Sequence, residues 1–184
     1  MESRIRPLPP TALTPDQAAL YAAITGGPRA AGPQHFAITS ADGSLRGPFD
    51  AMLRSPAVGA AQQELGAAIR YRTQLSDRAR ELAILLVAAR WSSIFEREAH
   101  EAIALSLGFG DEELAAIAGE DVSGLGGEEL LVGRTVIALL DGDLTDAEWH
   151  AARAAFGEGG VFELTALVGY YATLALQLRV FRVD

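Results

Sequence analysis

The chain has no cysteine. That removes disulfides, thiolate metal ligands and thiol nucleophiles from consideration. It has no lysine either: its 15 basic residues are all arginine, against 24 acidic ones, for a net charge of −9. An acidic chain without a basic cluster is a poor partner for nucleic acid or an anionic membrane surface. Charged residues make up only 21% of the sequence. The opening Met-Glu-Ser-Arg-Ile-Arg-Pro-Leu-Pro-Pro lacks the apolar stretch of a signal peptide, so cytoplasmic residence is the expectation. The longest apolar segment, Val161 to Leu178, is interrupted by Glu163, Thr165, Thr173 and Gln177. It reads as a core or interface helix rather than a membrane span. Strand-type alternation and internal repeats are missing as well.

What is present is apolar: 49% of the 184 residues are hydrophobic. The length suits one domain over 1–184, or a protomer that shares its core with copies of itself. Residues 1–13, with Pro7, Pro9 and Pro10, read as an extended arm. Thr14-Pro15-Asp16-Gln17 is a capping box with proline at the first helical position, and its helix should stop at Gly26-Gly27-Pro28. Residues 26–48 form a Gly/Pro-rich loop, of the kind that is functional or wraps a partner.

From there the pattern is helical. One helix is expected over Pro56 to Tyr71, with Val58, Leu65 and Ile69 apolar. Ser76 caps the next, whose run Leu82 to Ala89 is apolar all round and so predicts burial. Ser93-Ile94-Phe95-Glu96 spells a second capping box, opening a helix that ends at Gly108. Asp111 to Ala118 and Glu128 to Leu140 are two more. Thr145-Asp146-Ala147-Glu148 spells a third box, for a helix to about Phe156, and Gly157 to Gly160 breaks the chain before the last helix. The class is all-α.

Three residues in this frame can move protons. Glu96 and His100 lie four apart on one helix, so their side chains are neighbours. A carboxylate beside an imidazole orients it as an acid or base near neutral pH. Glu81 lies 19 residues before His100, roughly 28 Å away on a straight helix. It can join them only if the chain folds back at Trp91-Ser92-Ser93, which predicts a two-helix hairpin. Each residue also has a local reading: Glu96 as the N3 acid of a capping box, Glu81 as a first-turn carboxylate favoured by the helix dipole, His100 as a hydrogen-bonded helix histidine. His35 reads as a solvated loop residue ahead of one that covers a site, His150 as a residue of the surface or core edge, and Tyr170 and Tyr171 as packing residues at least as readily as substrate contacts.

The stretch from Leu53 to Leu107 resembles the carboxymuconolactone decarboxylase family, which includes the alkylhydroperoxidase-D-like proteins. The resemblance rests on Met52-Leu53-Arg54-Ser55-Pro56, on Leu75-Ser76-Asp77-Arg78-Ala79-Arg80-Glu81-Leu82-Ala83-Ile84-Leu85, and on Glu96 with His100 and Ala104-Leu105-Ser106-Leu107-Gly108. Thr14-Pro15-Asp16-Gln17 and Val168-Gly169-Tyr170-Tyr171 extend it toward both ends. The peroxidase branch carries Cys-x-x-Cys before its histidine; Ser93 and Glu96 stand at those positions here, with Glu81 at the relay glutamate, so thiol peroxidase chemistry is excluded. The decarboxylase branch commonly carries Glu-Trp-x-x-His, which here becomes Glu96-Arg97-Glu98-Ala99-His100.

The resemblance implies an alkylhydroperoxidase-D-like bundle assembled as a homo-oligomer, a trimer or hexamer. Its expected substrate is a small organic acid or lactone, decarboxylated without metal or other cofactor. His100 would be the general acid/base, Glu96 would orient it, and Glu81 would be a second relay. Arg72, Arg90 and Arg97 are the candidates to hold a substrate carboxylate, since guanidinium binds carboxylates bidentately. Three rival readings keep the scaffold: another proton-transfer reaction, such as cyclisation or isomerisation; a metal enzyme with Glu81, Glu96 and His100 as ligands and His35 or His150 as a fourth; and a non-enzymatic binding protein.

Overall fold

Eight α-helices and one 3-10 turn account for the regular structure of the computed structural model, which describes residues 3–27 and 36–183. We label them α1 (Pro15–Thr25), α2 (Pro48–Met52), α3 (Pro56–Tyr71), α4 (Asp77–Trp91), α5 (Ile94–Ser106), α6 (Asp111–Ala118), α7 (Gly127–Asp141) and α8 (Asp146–Phe181). Among the described residues there is no strand, only an isolated antiparallel bridge between Thr39 and Leu45. The protein is all-α. The chain divides into two compact units, Met1–Tyr71 with Leu176–Asp184, and Arg72–Ala175.

In the first unit the arm is pinned by backbone hydrogen bonds. Arg4 donates to the Phe181 carbonyl, and Leu8 N–H donates to the buried carboxylate of Asp50, which also binds Arg54 at 2.8 Å. Pro10–Ala12 closes a 3-10 turn within the segment expected to be extended. The capping box at Thr14 and Gln17 forms as its spelling implies. The buried residues of α3 are Gly59, Gln63, Gly66 and Ile69, whereas Val58 and Leu65 face outward. Small residues set this orientation: a Cβ on Gly59 would meet the Met52 carbonyl at 2.4 Å and Leu20 Cδ2 at 2.9 Å, so only glycine lets α3 approach α1 and α2 so closely.

The second unit is built around α4. Every residue from Ala79 to Ala88 is buried, as its all-round apolar run predicted. An arginine clamps each end of the helix. Arg78 binds Glu129 at 2.5 Å and Glu113 at 3.1 Å and stacks over Phe109, 3.8 Å from the ring centroid. Arg90 binds Glu120 at 2.6 Å and Asp141 at 2.8 Å. The hydrogen bond to Glu129 and the bonds to Glu120 and Asp141 each raise the guanidinium's pKa.

The helical stretch that opens at Thr145 runs to Phe156 and breaks at Gly157, as the sequence implies: φ 68° and ψ 174° there are non-helical and open to glycine, and a second helical stretch of α8 follows this kink at once, so the break is Gly157 rather than the whole of Gly157–Gly160. By length and composition α8 is long and apolar enough to cross a membrane, but half of its apolar window is buried inside the protein. A core helix of a soluble protein has the same length and composition.

Candidate functional site

The turn between α4 and α5 brings the site together. Ser92 adopts the left-handed conformation (φ 51°, ψ 42°), and the N–H groups of Ser92 and Ser93 close back onto the carbonyls of Ala89 and Ala88. Such a C-cap ends one helix and redirects the chain within two residues. The consequence is measurable 19 residues apart: His100 Nδ1 lies 2.6 Å from Glu81 Oε2, with the Glu81 side chain wholly buried and that of His100 7% exposed. The folding-back expected from the spacing is therefore present.

Three further side chains complete the surroundings. Tyr171 of α8 meets the His100 ring edge-on, with centroids 5.3 Å apart and planes at 86°. Tyr170 packs against Tyr171 in the same manner at 5.1 Å, and both tyrosines are buried. Arg80 is buried as well; its Nε lies 3.4 Å from Glu81 Oε1 and its Nη1 2.8 Å from Asp77. Glu81 thus receives the imidazole on one carboxylate oxygen and a guanidinium on the other.

Glu96 occupies the N3 position of α5 and is 2% exposed. It does not complete a capping box with Ser93. The Ser93 N–H that the box would use is taken by the Ala88 carbonyl, and the Ser93 hydroxyl makes no hydrogen bond. The local reading of Glu96 as a cap is corrected on that ground. Glu81 is likewise no first-turn carboxylate, since it stands a full turn inside α4 and has no exposed surface. The carboxylate at 2.6 Å from the imidazole comes from Glu81, the expected relay. Glu96, the expected orienting group, lies buried one turn before His100.

The three arginines singled out from the sequence stand elsewhere. Arg90 is engaged by Glu120 and Asp141. Arg97 is exposed on α5 and faces Glu101 at 3.9 Å, a solvated helix pair. Arg72 is exposed between α3 and α4. Sequence reasoning passed over Arg80, whose only signal was its place beside Glu81; Tyr171, read as a packing residue at least as readily as a substrate contact, is buried and packs against His100. His150 is exposed on α8, its Nδ1 2.5 Å from the Asp146 carbonyl. His35 lies outside the described residues. Among the described residues, no group of three or more His, Asp or Glu side chains is arranged to hold a metal ion.

No protein-family model matches the chain, and no curated protein matches its sequence.

Proposed function

We propose that Glu81 and His100 form a proton-transfer site for a cofactor-free lyase reaction, the decarboxylation of a lactone or β-keto acid. The observation that carries this reading is the 2.6 Å contact between His100 Nδ1 and the buried carboxylate of Glu81. With Glu81 ionised, Nδ1 carries a proton and donates it to Oε2. That bond fixes the tautomer and leaves Nε2 as the atom that exchanges a proton with substrate. When the C–C bond to the carboxylate breaks, its electron pair delocalises into the neighbouring carbonyl as an enolate. His100 Nε2, having taken up the proton of the substrate's carboxyl group, returns that proton to the carbon as CO2 departs, and the imidazole ends as it began, with its proton on Nδ1. Arg80 is the arginine that stands beside the pair, its Nε 3.4 Å from Glu81 Oε1.

The direct test is CO2 release from a panel of lactone acids and β-keto acids by the purified protein. His100→Gln should lower turnover by about 10²-fold or more, and Glu81→Gln should lower it less. A panel member turned over equally well by His100→Gln would sink the assignment. Assembly of the protein as a trimer or hexamer belongs to the same proposal, supported by the outward-facing Val58 (63% exposed) and Phe162 (73% exposed); light scattering of the purified protein measures it.

The near-complete burial of His100 favours a second reading, in which Glu81, His100 and Tyr171 form a buried polar pin joining α4, α5 and α8 in a binding protein without turnover. In that case His100→Gln lowers the melting temperature, and no panel member releases CO2 with the parent protein.

A further inference from the structure

In the second unit, a groove of about 480 Å³ runs between α7 and the first stretch of α8. On α7 it is lined by Leu131, Arg134, Ile137, Ala138 and Asp141, among others. A helix face turned to solvent is ordinarily polar. Here Leu131, Ile137 and Ala138 are only half-buried, with one cation and one acid among them. Arg134 is exposed and makes no hydrogen bond or ion pair with the described residues. Its neighbours one turn away on α7 are Leu130, Leu131, Ile137 and Ala138, so its own helix offers it no acid. Carboxylates gather where the chain turns from α7 into α8: Asp141 and Glu148 both line the groove there. The Asp141 side chain is 64% exposed and gives only Oδ1 to Arg90, and Glu148 gives only Oε2 to Thr145. The second oxygen of each makes no hydrogen bond with the described residues. Arg134 and Asp141 are seven residues apart on one face, about two turns of helix.

We propose that a second copy of the chain closes this groove, with α7 of each copy lying antiparallel in the groove of the other about a two-fold axis that passes near Ala138. The charges select this occupant. A ligand of one sign would suit Arg134 and be repelled by the carboxylates, or the reverse. A second α7 carries both signs at the same spacing, and a two-fold axis presents them in the opposite order. Arg134 of each copy then meets Asp141 and Glu148 of the other, and the half-buried Leu131, Ile137 and Ala138 lose their contact with water. The interface rests on the assembly stated with the proposed function and deepens it, and it is independent of the Glu81–His100 chemistry. A two-fold contact fits a hexamer and does not occur in a lone trimer.

The test joins light scattering of the full-length protein to thiol crosslinking. The parent particle should hold an even number of protomers. Arg134→Glu sets like charges against each other at both ends of the contact and should halve the particle mass, with the helical circular-dichroism spectrum retained. Because the chain has no cysteine, a single introduced thiol can form a disulfide only between copies. Ala138→Cys, beside the axis, should give a covalent dimer under mild oxidation, whereas Ala115→Cys, exposed on α6 and outside the groove, should give little. Should Arg134→Glu fail to fold, the pair of cysteine variants carries the test. A monomeric parent overturns this inference together with the proposed assembly. A trimeric parent, a mass unchanged by Arg134→Glu, or an Ala138→Cys that crosslinks no more than Ala115→Cys overturns this inference alone.

Discussion

Two helix starts in the second unit share one pattern, a hydroxyl residue followed three positions later by glutamate. At the start of α8, the exposed Thr145 and the half-buried Glu148 complete a reciprocal box: Glu148 N–H donates to Thr145 Oγ1, and Thr145 N–H donates to Glu148 Oε2 at 2.8 Å. At the start of α5, Ser93 and Glu96 have the same spacing and form no box. The difference lies in what precedes them. Thr145 follows a loop from Gly142, so its N–H has no other claimant. Ser93 follows α4 by a single residue, and the left-handed turn at Ser92 has already given its N–H to Ala88. The capping motif is a local preference, and a helix end immediately upstream overrides it. The acid so released from capping lies in the interior, on the helix that carries His100.

The largest expected effect comes from breaking the contact this turn creates. Glu81→Ala would leave His100 buried without the carboxylate that faces it, and loss of one partner of a buried pair costs about 3–5 kcal/mol. Glu81→Gln keeps an acceptor for Nδ1–H and should cost clearly less. Urea unfolding of the two variants and of His100→Ala, read as a double-mutant cycle, measures the coupling. A Glu81→Ala loss no greater than that of an exposed glutamate such as Glu98 would mean that the 2.6 Å contact does not hold the α4–α5 turn together.

The two helix starts should then respond with opposite signs. Thr145→Ala removes a working cap and should lower stability by about 1 kcal/mol. Ser93→Ala removes a buried hydroxyl that makes no hydrogen bond, so it should leave stability unchanged or raise it by a few tenths of a kcal/mol. Equal losses at the two positions, measured by thermal or urea melts, would show that Ser93 caps α5 in solution.

Much of the architecture is legible in the sequence, because apolar periodicity and helix ends are written locally. The bounds of α3 and α6 and the caps at Thr14, Ser76 and Thr145 follow from single short windows. So does the burial of α4, since a segment apolar all round has no face to give to water. Long-range pairings are where local reading stops. The spacing of Glu96 and His100 favours their pairing on one helix, whereas the bond to Glu81 depends on the direction in which two helices leave Ser92. The outward turn of Val58 and Leu65 was hidden for a related reason: α3 is oriented by the close approach at Gly59, and a glycine carries no apolar signal. Arg90 could not be separated from a substrate-binding arginine, because Glu120 and Asp141 lie 30 and 51 residues away in the chain.

Asp50 sharpens the comparison from the first unit, with the smallest expected effect. Like Glu96 it is a buried acid at the third position of a helix, and like Glu96 it does not cap that helix. It accepts instead from Leu8 of the arm and from Arg54. Burial raises its pKa above the ordinary 3.8, and the Leu8 N–H and the Arg54 charge pull against that shift without cancelling it. The folded state therefore binds the Asp50 proton more tightly than the unfolded state does. Linkage fixes the sign: the Asp50 contribution is fully present below the ordinary carboxylate value and is lost as pH rises through its raised value. Asp50→Asn keeps an oxygen for Leu8 N–H and removes the titration. The variant should show a flatter fall of stability as pH rises through the weakly acidic range, measured by urea midpoints across that range. An unchanged slope would mean that the arm, rather than burial, sets the charge state of Asp50, and that this third acid is as fully served by its partners as Glu148 is by Thr145.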